Sequence, residues 1–174
     1  MDHDTRILPA LEWVSGLIDH WPGVPALIRD RHLTIVAANR LAQAITPSFT
    51  PGANLARSTF LDSPGHRDDA CWASVTTQVA AMLRDSLDRH HGDGRFRGLV
   101  GELSAQSADF SQAWATETRP TGTGIATFLD STVGDLTLSY RELWIDESRE
   151  HALMLWRSAS ATAPQQLREL ENSL

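Results

Sequence analysis

The first part of the chain places apolar side chains at helical spacing. They recur at intervals of three or four residues, at Leu8, Leu11, Val14, Leu17 and Ile18. Side chains at this spacing share one face of a helix. The sequence Trp-Pro-Gly at 21–23 then breaks the pattern. The spacing therefore predicts an amphipathic helix over residues 6–20.

Two short apolar runs follow, VPALIRD and LTIVAAN, with a polar turn between them. This arrangement indicates a β-hairpin over residues 24–38 whose strands are mostly buried. Asn39 stands directly after the second run and before RLAQAI. Its side chain can accept a hydrogen bond from an unpaired helical N–H, so it is a candidate N-cap.

The central part of the chain, residues 53–119, has helical patterning. Within residues 68–91 one apolar face is formed by Trp72, Val75, Val79, Met82, Leu83 and Leu87. This predicts a long amphipathic helix that ends at the sequence HGDG. Residues 95–105 repeat the pattern. A third helix beginning near Ser107 would set Phe110 and Trp114 one turn apart.

The C-terminal third changes to strand patterning. In VGDLTLSYREL the apolar side chains alternate with polar ones, so that Leu136, Leu138 and Tyr140 share one face. GIATFLDS and HALMLWRSA are short apolar runs on either side of it. We therefore expect three strands within residues 124–159. Residues 161–174 are expected to be a tail or a short helix.

The order of these elements predicts an α+β fold. A helical block between a first hairpin and three later strands is most simply accommodated by one five-stranded, mainly antiparallel sheet. The helices inserted between strands 2 and 3 would cover one face of it. This is a PAS-like outline, in which helices enclose a cavity above the sheet. The domain is expected over residues 6–160, and residues 1–5 as a disordered start or the first residues of an excised domain.

Composition and charge narrow the classes of function. The chain has 174 residues, 41% of them hydrophobic, which suits one soluble domain with a substantial core. Its net charge is −7, and its arginines are scattered among acids, which argues against a dedicated nucleic-acid surface. The N-terminus does not have the pattern of a signal peptide. The single cysteine, Cys71, excludes an internal disulfide and fits a reducing cytoplasm.

Several blocks resemble, in order, the ligand-binding domain of MmyB-like transcription regulators. LTIVAANRLAQAI is similar to its opening hairpin and Asn-capped helix, and NLARSTFLDSP follows with Asn54, Phe60, Leu61 and Asp62. The block LVGELSAQSADFSQAW resembles the family signature at Leu99, Glu102, Leu103, Ser107, Phe110 and Trp114. VGDLTLSYREL resembles the final hairpin. The blocks span residues 8–170.

The resemblance implies a non-catalytic PAS-like sensor for an apolar or amphiphilic small molecule, with a fatty acid as the best-known type. In this family the domain normally follows an Xre-type helix-turn-helix domain, and five residues before the first helix leave no room for one. We therefore expect an excised domain or a stand-alone relative, which would contact DNA only through a helix-turn-helix domain not present in this chain. A homodimer, or a heterodimer with a related regulator, is also expected. No cofactor and no membrane contact are implied.

The sequence departs from the family pattern at two positions. The family tends to place histidines after the tryptophan and before the final hairpin, where this chain has Glu117 and Asp130. If those histidines contribute to the polarity of the ligand site, the acids at their positions would disfavour binding of a fatty carboxylate.

The candidate site is an apolar pocket between the sheet and the helices. Its predicted lining is drawn from Phe60, Trp72, Val79, Met82, Leu83, Leu103, Phe110, Trp114, Leu138, Tyr140 and Trp156. Ligand pockets are mostly apolar with a few placed polar groups. Taken singly, each of these residues fits a solid core equally well. Arg57 and Arg84 are candidate anchors for a carboxylate, because a guanidinium matches its geometry, or else they are solvated helix charges.

Other groupings of polar residues support weaker hypotheses. Asp88, His90, His91 and Asp93 contain metal-compatible side chains, but their spacing favours a polar helix end, so no metal site is predicted. An enzyme would have to use an Asp/His pair such as His66 with Asp69, and Cys71 lies among acids rather than in an electropositive setting. No phosphate-binding loop or nucleophile motif is present. The third alternative is a dimerisation domain with a filled core and no ligand.

Overall fold

The computed structural model describes residues 4–62, 71–129 and 131–174, with side chains described from residue 11 onward. The elements in these residues are α1 (Asp4–Ile18), β1 (Ala26–Asp30), β2 (Ile35–Ala38), α2 (Arg40–Ile45), α3 (Leu55–Arg57), α4 (Trp72–Arg89), α5 (Gly94–Gln106), α6 (Ala108–Ala115), β3 (Thr123–Phe128), β4 (Leu136–Trp144), β5 (His151–Ser158) and α7 (Ala163–Asn172). A 3-10 turn at Pro47–Phe49 follows α2, and a π-helical turn at Ser58–Asp62 extends α3.

The five strands form one antiparallel sheet in the order β2-β1-β5-β4-β3. The first hairpin pairs with the last strand through Leu27 and Met154. On the other side of β5, Trp156 lies opposite Tyr140, which in turn lies opposite Gly124 on β3. The sheet and the helices inserted between β2 and β3 confirm the predicted α+β, PAS-like fold.

The two faces of the sheet have different cores. Side chains alternate between the faces along a strand, so Leu27 and Ile28 point in opposite directions. Leu27 joins the main core under the inserted helices, together with Phe96, Leu103 and Phe110. Ile28 belongs to a smaller cluster with Ile18 of α1. Helix α1 therefore covers part of the outer face, and the inserted helices cover the inner face.

Asn39 connects three elements at the start of the sheet. Its Oδ1 accepts hydrogen bonds from the N–H groups of Ala42, at 2.9 Å, and Ala26, at 3.2 Å. Its Nδ2 donates to the carbonyl oxygens of Val24, at 2.8 Å, and Ile18, at 3.2 Å. The predicted N-cap of α2 therefore also joins the end of α1 to the start of β1.

The two ends of the chain show how element bounds differ from the sequence pattern. Helix α1 begins at Asp4 and ends at Ile18, whereas the spacing predicts residues 6–20. The C-terminal segment forms α7, on which Leu167 and Leu170 are buried in the main core. Burial of these two leucines explains why this segment is a helix and not a tail.

In the described residues, no helix combines the length and the apolar character needed to cross a bilayer.

Candidate functional site

A cavity of about 150 Å³ lies between helix α4 and the β3–β5 part of the inner face. Val75, Val79 and Met82 line it from α4, because residues three and four apart share one face of a helix. Helix α4 also packs against β3 and α6, which fixes its distance from the sheet. Ala126 on β3 and Met154 on β5 contribute the opposite wall.

Four aromatic side chains form a continuous part of the cavity wall. Phe49, from the 3-10 turn, lies 5.4 Å from Phe128 and 5.2 Å from Trp156, measured between ring centroids. Trp156 lies 5.3 Å from Phe128 and 5.1 Å from Tyr140. These distances are those of favourable tilted and edge-to-face pairs. The rings therefore support one another and form a firm apolar surface.

Gly124 sets the position of the Tyr140 ring. The two residues are directly opposite each other on β3 and β4, and both line the cavity. A Cβ atom at Gly124 would lie 2.6 Å from Cε1 of Tyr140 and 3.0 Å from its hydroxyl oxygen. The ring can occupy this position only because residue 124 has no side chain.

Two hydrogen-bond donors in the cavity wall have no acceptor in the described part of the chain. They are the hydroxyl of Tyr140 and Nε1 of Trp156, and both are buried. Burial raises the pKa of Tyr140, the charge of Glu142 adds to this, and Arg29 opposes it, so the hydroxyl keeps its proton. An unpaired buried donor is costly. Both donor atoms have almost no solvent-accessible surface, so they lie within the packed wall and not on its surface.

The described lining of the cavity carries no charge. None of the described residues that line it is an aspartate, glutamate, arginine or histidine. Its polar members are neutral hydroxyl and amide side chains, such as Thr59, Ser74, Gln78 and Thr127. Gln78 is engaged with Thr121, whose backbone N–H lies 3.1 Å from Oε1 of Gln78.

A buried ion pair lies next to the cavity on the same face of the sheet. Arg29 donates to both carboxylate oxygens of Glu142, through Nε at 3.0 Å and Nη2 at 2.8 Å, and their side chains are 1% and 5% exposed. Nη1 of Arg29 donates to the carbonyl of Asp30, and the guanidinium lies 4.9 Å from the ring centroid of Trp144. Because Arg29 is fully engaged, it is not available to hold an anionic ligand.

The structure brings five of the predicted pocket residues together at the cavity and places six elsewhere. Those that line the cavity are Trp72, Val79, Met82, Tyr140 and Trp156. Those that do not are Phe60, Leu83, Leu103, Phe110, Trp114 and Leu138. Phe110 lies 5.0 Å from Phe60 and 5.3 Å from Trp114, so these rings pack on one another among the helices. Leu83, Leu103 and Leu138 are fully buried in the core.

The two predicted arginine anchors lie away from the cavity. Arg57 pairs with Glu102 at 2.7 Å on the surface, where its side chain is 50% exposed. This hydrogen bond raises the pKa of Arg57 and lowers the pKa of Glu102. Arg84 donates to the carbonyl of Trp114 and lies 4.1 Å from the centroid of its ring. Within the described residues, neither arginine lines the apolar cavity.

Other predicted positions fall outside the site or outside the described residues. Glu117, one of the two departures from the family pattern, lines a separate polar surface cleft that also includes Arg84. Asp130, His66 and Asp69 lie outside the described residues, so the Asp/His enzyme stays a hypothesis. Cys71 is half-buried at the start of α4.

The polar residues at the end of α4 form an ion network. Asp93 accepts from the backbone N–H of Arg95 at 2.9 Å, and also contacts His32 at 2.7 Å and Arg31 at 3.0 Å. The Arg95 hydrogen bond, with His32 and Arg31, holds the pKa of Asp93 below its usual value. His90 interacts with the carbonyl of Ser86. No group of three metal-compatible side chains occurs in the described residues, and the absence of a metal site stays a prediction.

Sequence reasoning missed four residues that shape the site. Phe49 lies in the loop TPSFTPG, and Phe128 ends β3. Gly124 has no side chain, so the apolar pattern does not single it out. The sequence does contain a signal for Arg29. It stands in the apolar run VPALIRD two residues after the inward-facing Leu27, and side chains two residues apart on a strand point to the same face. A charged residue at an inward position of a buried strand requires a partner, here Glu142.

Comparison with known proteins identifies a family and a distant structural likeness. A search of curated protein sequences gives no match. Among solved structures, the PAS domain of BvgS from Bordetella pertussis is similar with a TM-score of 0.40 and 13% sequence identity, covering 95% of this chain and 99% of that chain. The profile described as the MmyB-like transcription regulator ligand binding domain matches residues 11–170, which include every strand of the sheet and the described lining of the cavity. The chain therefore belongs to the MmyB-like transcription regulator ligand-binding domain family.

Proposed function

We propose that this domain senses an apolar or amphiphilic small molecule, without catalysis, by binding it in the cavity between α4 and strands β3–β5. The observation that carries this proposal is the cavity itself, whose described lining is mainly apolar and aromatic with a few neutral hydroxyl and amide side chains. Ligand sites combine apolar walls with a few convergent polar groups in this way. The fatty acid implied by the family resemblance is one member of the proposed ligand class.

Occupancy of the cavity would be reported through the position of α4 relative to the sheet. A ligand shifts a protein between two arrangements only by binding one of them more tightly. Helix α4 contributes one wall of the cavity and contacts both β3 and α6, so a change in its position would also move α6. We propose that this change reaches a DNA-binding domain of the same regulator or a partner protein in the cytoplasm.

We also propose that α1 contributes to self-association. Trp13 and Leu17 of this helix are 69% and 37% exposed, and because they are four residues apart they lie side by side on one exposed helix face. Deletion of residues 1–20 is expected to abolish self-association in sedimentation. Because Ile18 is buried against the sheet, the double change W13S/L17Q is the cleaner variant. An unchanged sedimentation profile for W13S/L17Q would reject this role, and Leu143→Ser is the matched exposed control.

Native mass spectrometry of the purified full chain tests the ligand-binding function. The expected spectrum contains the chain with one additional small molecule, which is released on denaturation and can then be identified by its mass. A chain that carries no small molecule, and takes up none from an extract of small apolar compounds, would contradict the proposal. It would favour the dimerisation domain with no ligand.

A further inference from the structure

Helix α4 has a half that borders the cavity and a distal end that does not. All of its residues that line the cavity lie between Trp72 and Met82, whereas the helix continues to Arg89. Since a helix rises about 1.5 Å per residue, its last turns reach roughly 10 Å beyond the cavity. The two parts of α4 are held to the rest of the domain by different kinds of contact.

The distal end of α4 is joined to both hairpins by one bridging guanidinium. Arg31, in the turn between β1 and β2, donates through Nη2 to Asp93 at 3.0 Å and through Nη1 to Glu150 at 2.7 Å. Asp93 lies between α4 and α5, and Glu150 lies between β4 and β5. A side chain of the first hairpin therefore links the end of α4 to the last hairpin.

Two imidazoles extend this cluster, and both donate because carboxylate and carbonyl oxygens only accept. His32, which is 6% exposed, donates through Nε2 to Asp93 at 2.7 Å. His90 directly follows α4 and donates through Nδ1 to the carbonyl of Ser86 at 2.8 Å, while its Nε2 lies 3.3 Å from Glu150. The name α4 clamp is used below for Arg31, His32, His90, Asp93 and Glu150.

The α4 clamp rests on a buried ring and a tight turn. Phe96 of α5 is fully buried, and its ring centroid lies 4.5 Å from that of His32 and 6.3 Å from that of His90. Gly92 has a φ of 95°, which favours glycine, and Asp93 caps α5 by accepting from the N–H of Arg95 at 2.9 Å. The end of α4, the start of α5 and the two hairpins are thus connected as one unit.

The cavity half of α4 is held in a more yielding way. Val75, Val79 and Met82 face the sheet across the cavity. The hydrogen bonds between Gln78 and Thr121 are exposed, so water can replace them. Packed apolar side chains tolerate small sliding movements, whereas a hydrogen-bonded ion pair depends on distance and angle. Displacing the cavity half therefore costs less free energy than displacing the clamped end.

We propose that the α4 clamp is a fixed pivot, and that a molecule entering the cavity tilts the cavity half of α4 about it. The proposal rests on the proposed sensing function, since it specifies the movement by which occupancy is reported. A tilt of about 5° would displace Val79, roughly 16 Å from the pivot along the helix, by about 1.4 Å. Arg84 would move by about 0.8 Å. Trp114 of α6, over which the Arg84 guanidinium lies, would move with it.

Hydrogen exchange of the full chain, measured by mass spectrometry, tests the pivot without a ligand. Val79→Phe places a ring in the cavity, and Val100→Phe places the same ring on α5, away from the cavity. We expect Val79→Phe to change the exchange rates of residues 72–82 and of α6 by about fivefold or more, the lower end of usual coupling between sites. Residues 90–96 should exchange as in the unaltered chain. Val100→Phe should leave residues 72–82 unchanged.

A second pair of variants tests whether the clamp holds the pivot in place. Arg31→Met removes the bridge between Asp93 and Glu150, whereas Arg57→Met breaks an exposed ion pair elsewhere. Measured against Arg31→Met alone, the double variant V79F/R31M should extend the change in exchange to residues 90–96. Measured against Arg57→Met alone, V79F/R57M should not. Glu150→Ala replaces Arg31→Met, and Val75→Phe replaces Val79→Phe, should either of these fail to fold.

Three results would overturn the pivot. They are equal changes in residues 72–82 and 90–96 of Val79→Phe, no change in either segment, and a change still confined to residues 72–82 when Arg31→Met is present. Because these measurements need no ligand, such a result leaves the sensing function intact. A chain that takes up no small molecule in native mass spectrometry would instead refute the sensing function, while the exchange rates would still decide the pivot.

Discussion

At the scale of single residues, the cavity depends on an unusual pairing of Tyr140 with Gly124. The ring of Tyr140 lies where a Cβ of residue 124 would be, and its hydroxyl is buried without a partner among the described residues. The same face of β4 carries Glu142, which is paired with Arg29. At adjacent inward positions, β4 therefore presents a hydroxyl without a partner among the described residues and a carboxylate that is paired with β1.

The raised pKa of Tyr140 predicts a loss of stability at alkaline pH. Burial disfavours the phenolate, so the pKa in the folded protein lies above its ordinary value of 10.0. The unfolded chain then releases its proton first, and the stability due to this group, complete below pH 10.0, declines as pH rises beyond that value. Because the sequence has one tyrosine, tyrosinate absorbance reports this residue alone.

In an alkaline titration, the folded chain should show no tyrosinate signal near pH 10.0, whereas the chain in concentrated urea should titrate there. Tyr140→Phe should remove the signal altogether. Ionisation near this pH with an unchanged near-ultraviolet circular dichroism spectrum would show that the hydroxyl is accessible in the folded protein, against the structure.

The Arg29–Glu142 pair predicts a strong asymmetry between single and double substitutions. Arg29→Met leaves a buried carboxylate without a partner and should reduce the free energy of unfolding by about 3–5 kcal/mol. The double variant R29M/E142L should recover most of this loss, because it removes both charges. Arg57→Met breaks an exposed pair with Glu102 and should cost much less than Arg29→Met, because solvent screens this pair. Urea denaturation measures all three, and equal losses for Arg29→Met and Arg57→Met would contradict the burial of the pair.

At the scale of elements, Asn39 holds α1, β1 and α2 together. Its amide makes two bonds as acceptor and two as donor. Ser107, the cap of α6, makes a single capping bond to the N–H of Phe110 at 3.1 Å. The two residues can therefore be compared directly. Ser107 only caps the N-terminus of a helix, whereas Asn39 caps a helix N-terminus and also joins other elements to it.

Asn39→Ala should be more destabilising than Ser107→Ala. Loss of an ordinary cap costs about 1 kcal/mol. Asn39→Ala also leaves the carbonyls of Val24 and Ile18 and the N–H of Ala26 without this partner, so we expect a loss of about 2 kcal/mol or more in the free energy of unfolding. A loss no greater than that of Ser107→Ala in chemical denaturation would count against the joining role.

Sequence patterns predicted the elements better than they predicted the site. The alternation along β4 and the apolar face of α4 identified both walls of the cavity, because periodicity shows which side chains point inward. Periodicity does not show where the core leaves space. Leu103 and Phe110 follow the same pattern as Val79 and Met82, yet the structure packs them solidly. The position of Phe49 could not be predicted, since a loop residue has no periodic signal.

At the scale of the whole molecule, the family and the cavity point to the same role. The family match shows a ligand-binding domain of transcription regulators, and the fold places an apolar cavity between the sheet and one long helix. The five strands connect this cavity to the outer face, where α1 packs on the first hairpin. The central claim is that a small molecule occupies this cavity.

Native mass spectrometry of two matched variants tests that claim most directly. Val79 lines the cavity from α4, whereas Val100 is a comparable half-buried valine on α5 that does not line it. Val79→Phe places a ring in the space for the ligand, and Val100→Phe adds the same ring elsewhere. We predict that the bound molecule is retained by Val100→Phe and lost by Val79→Phe while both variants remain folded. Retention of the same molecule by folded Val79→Phe would contradict the claim.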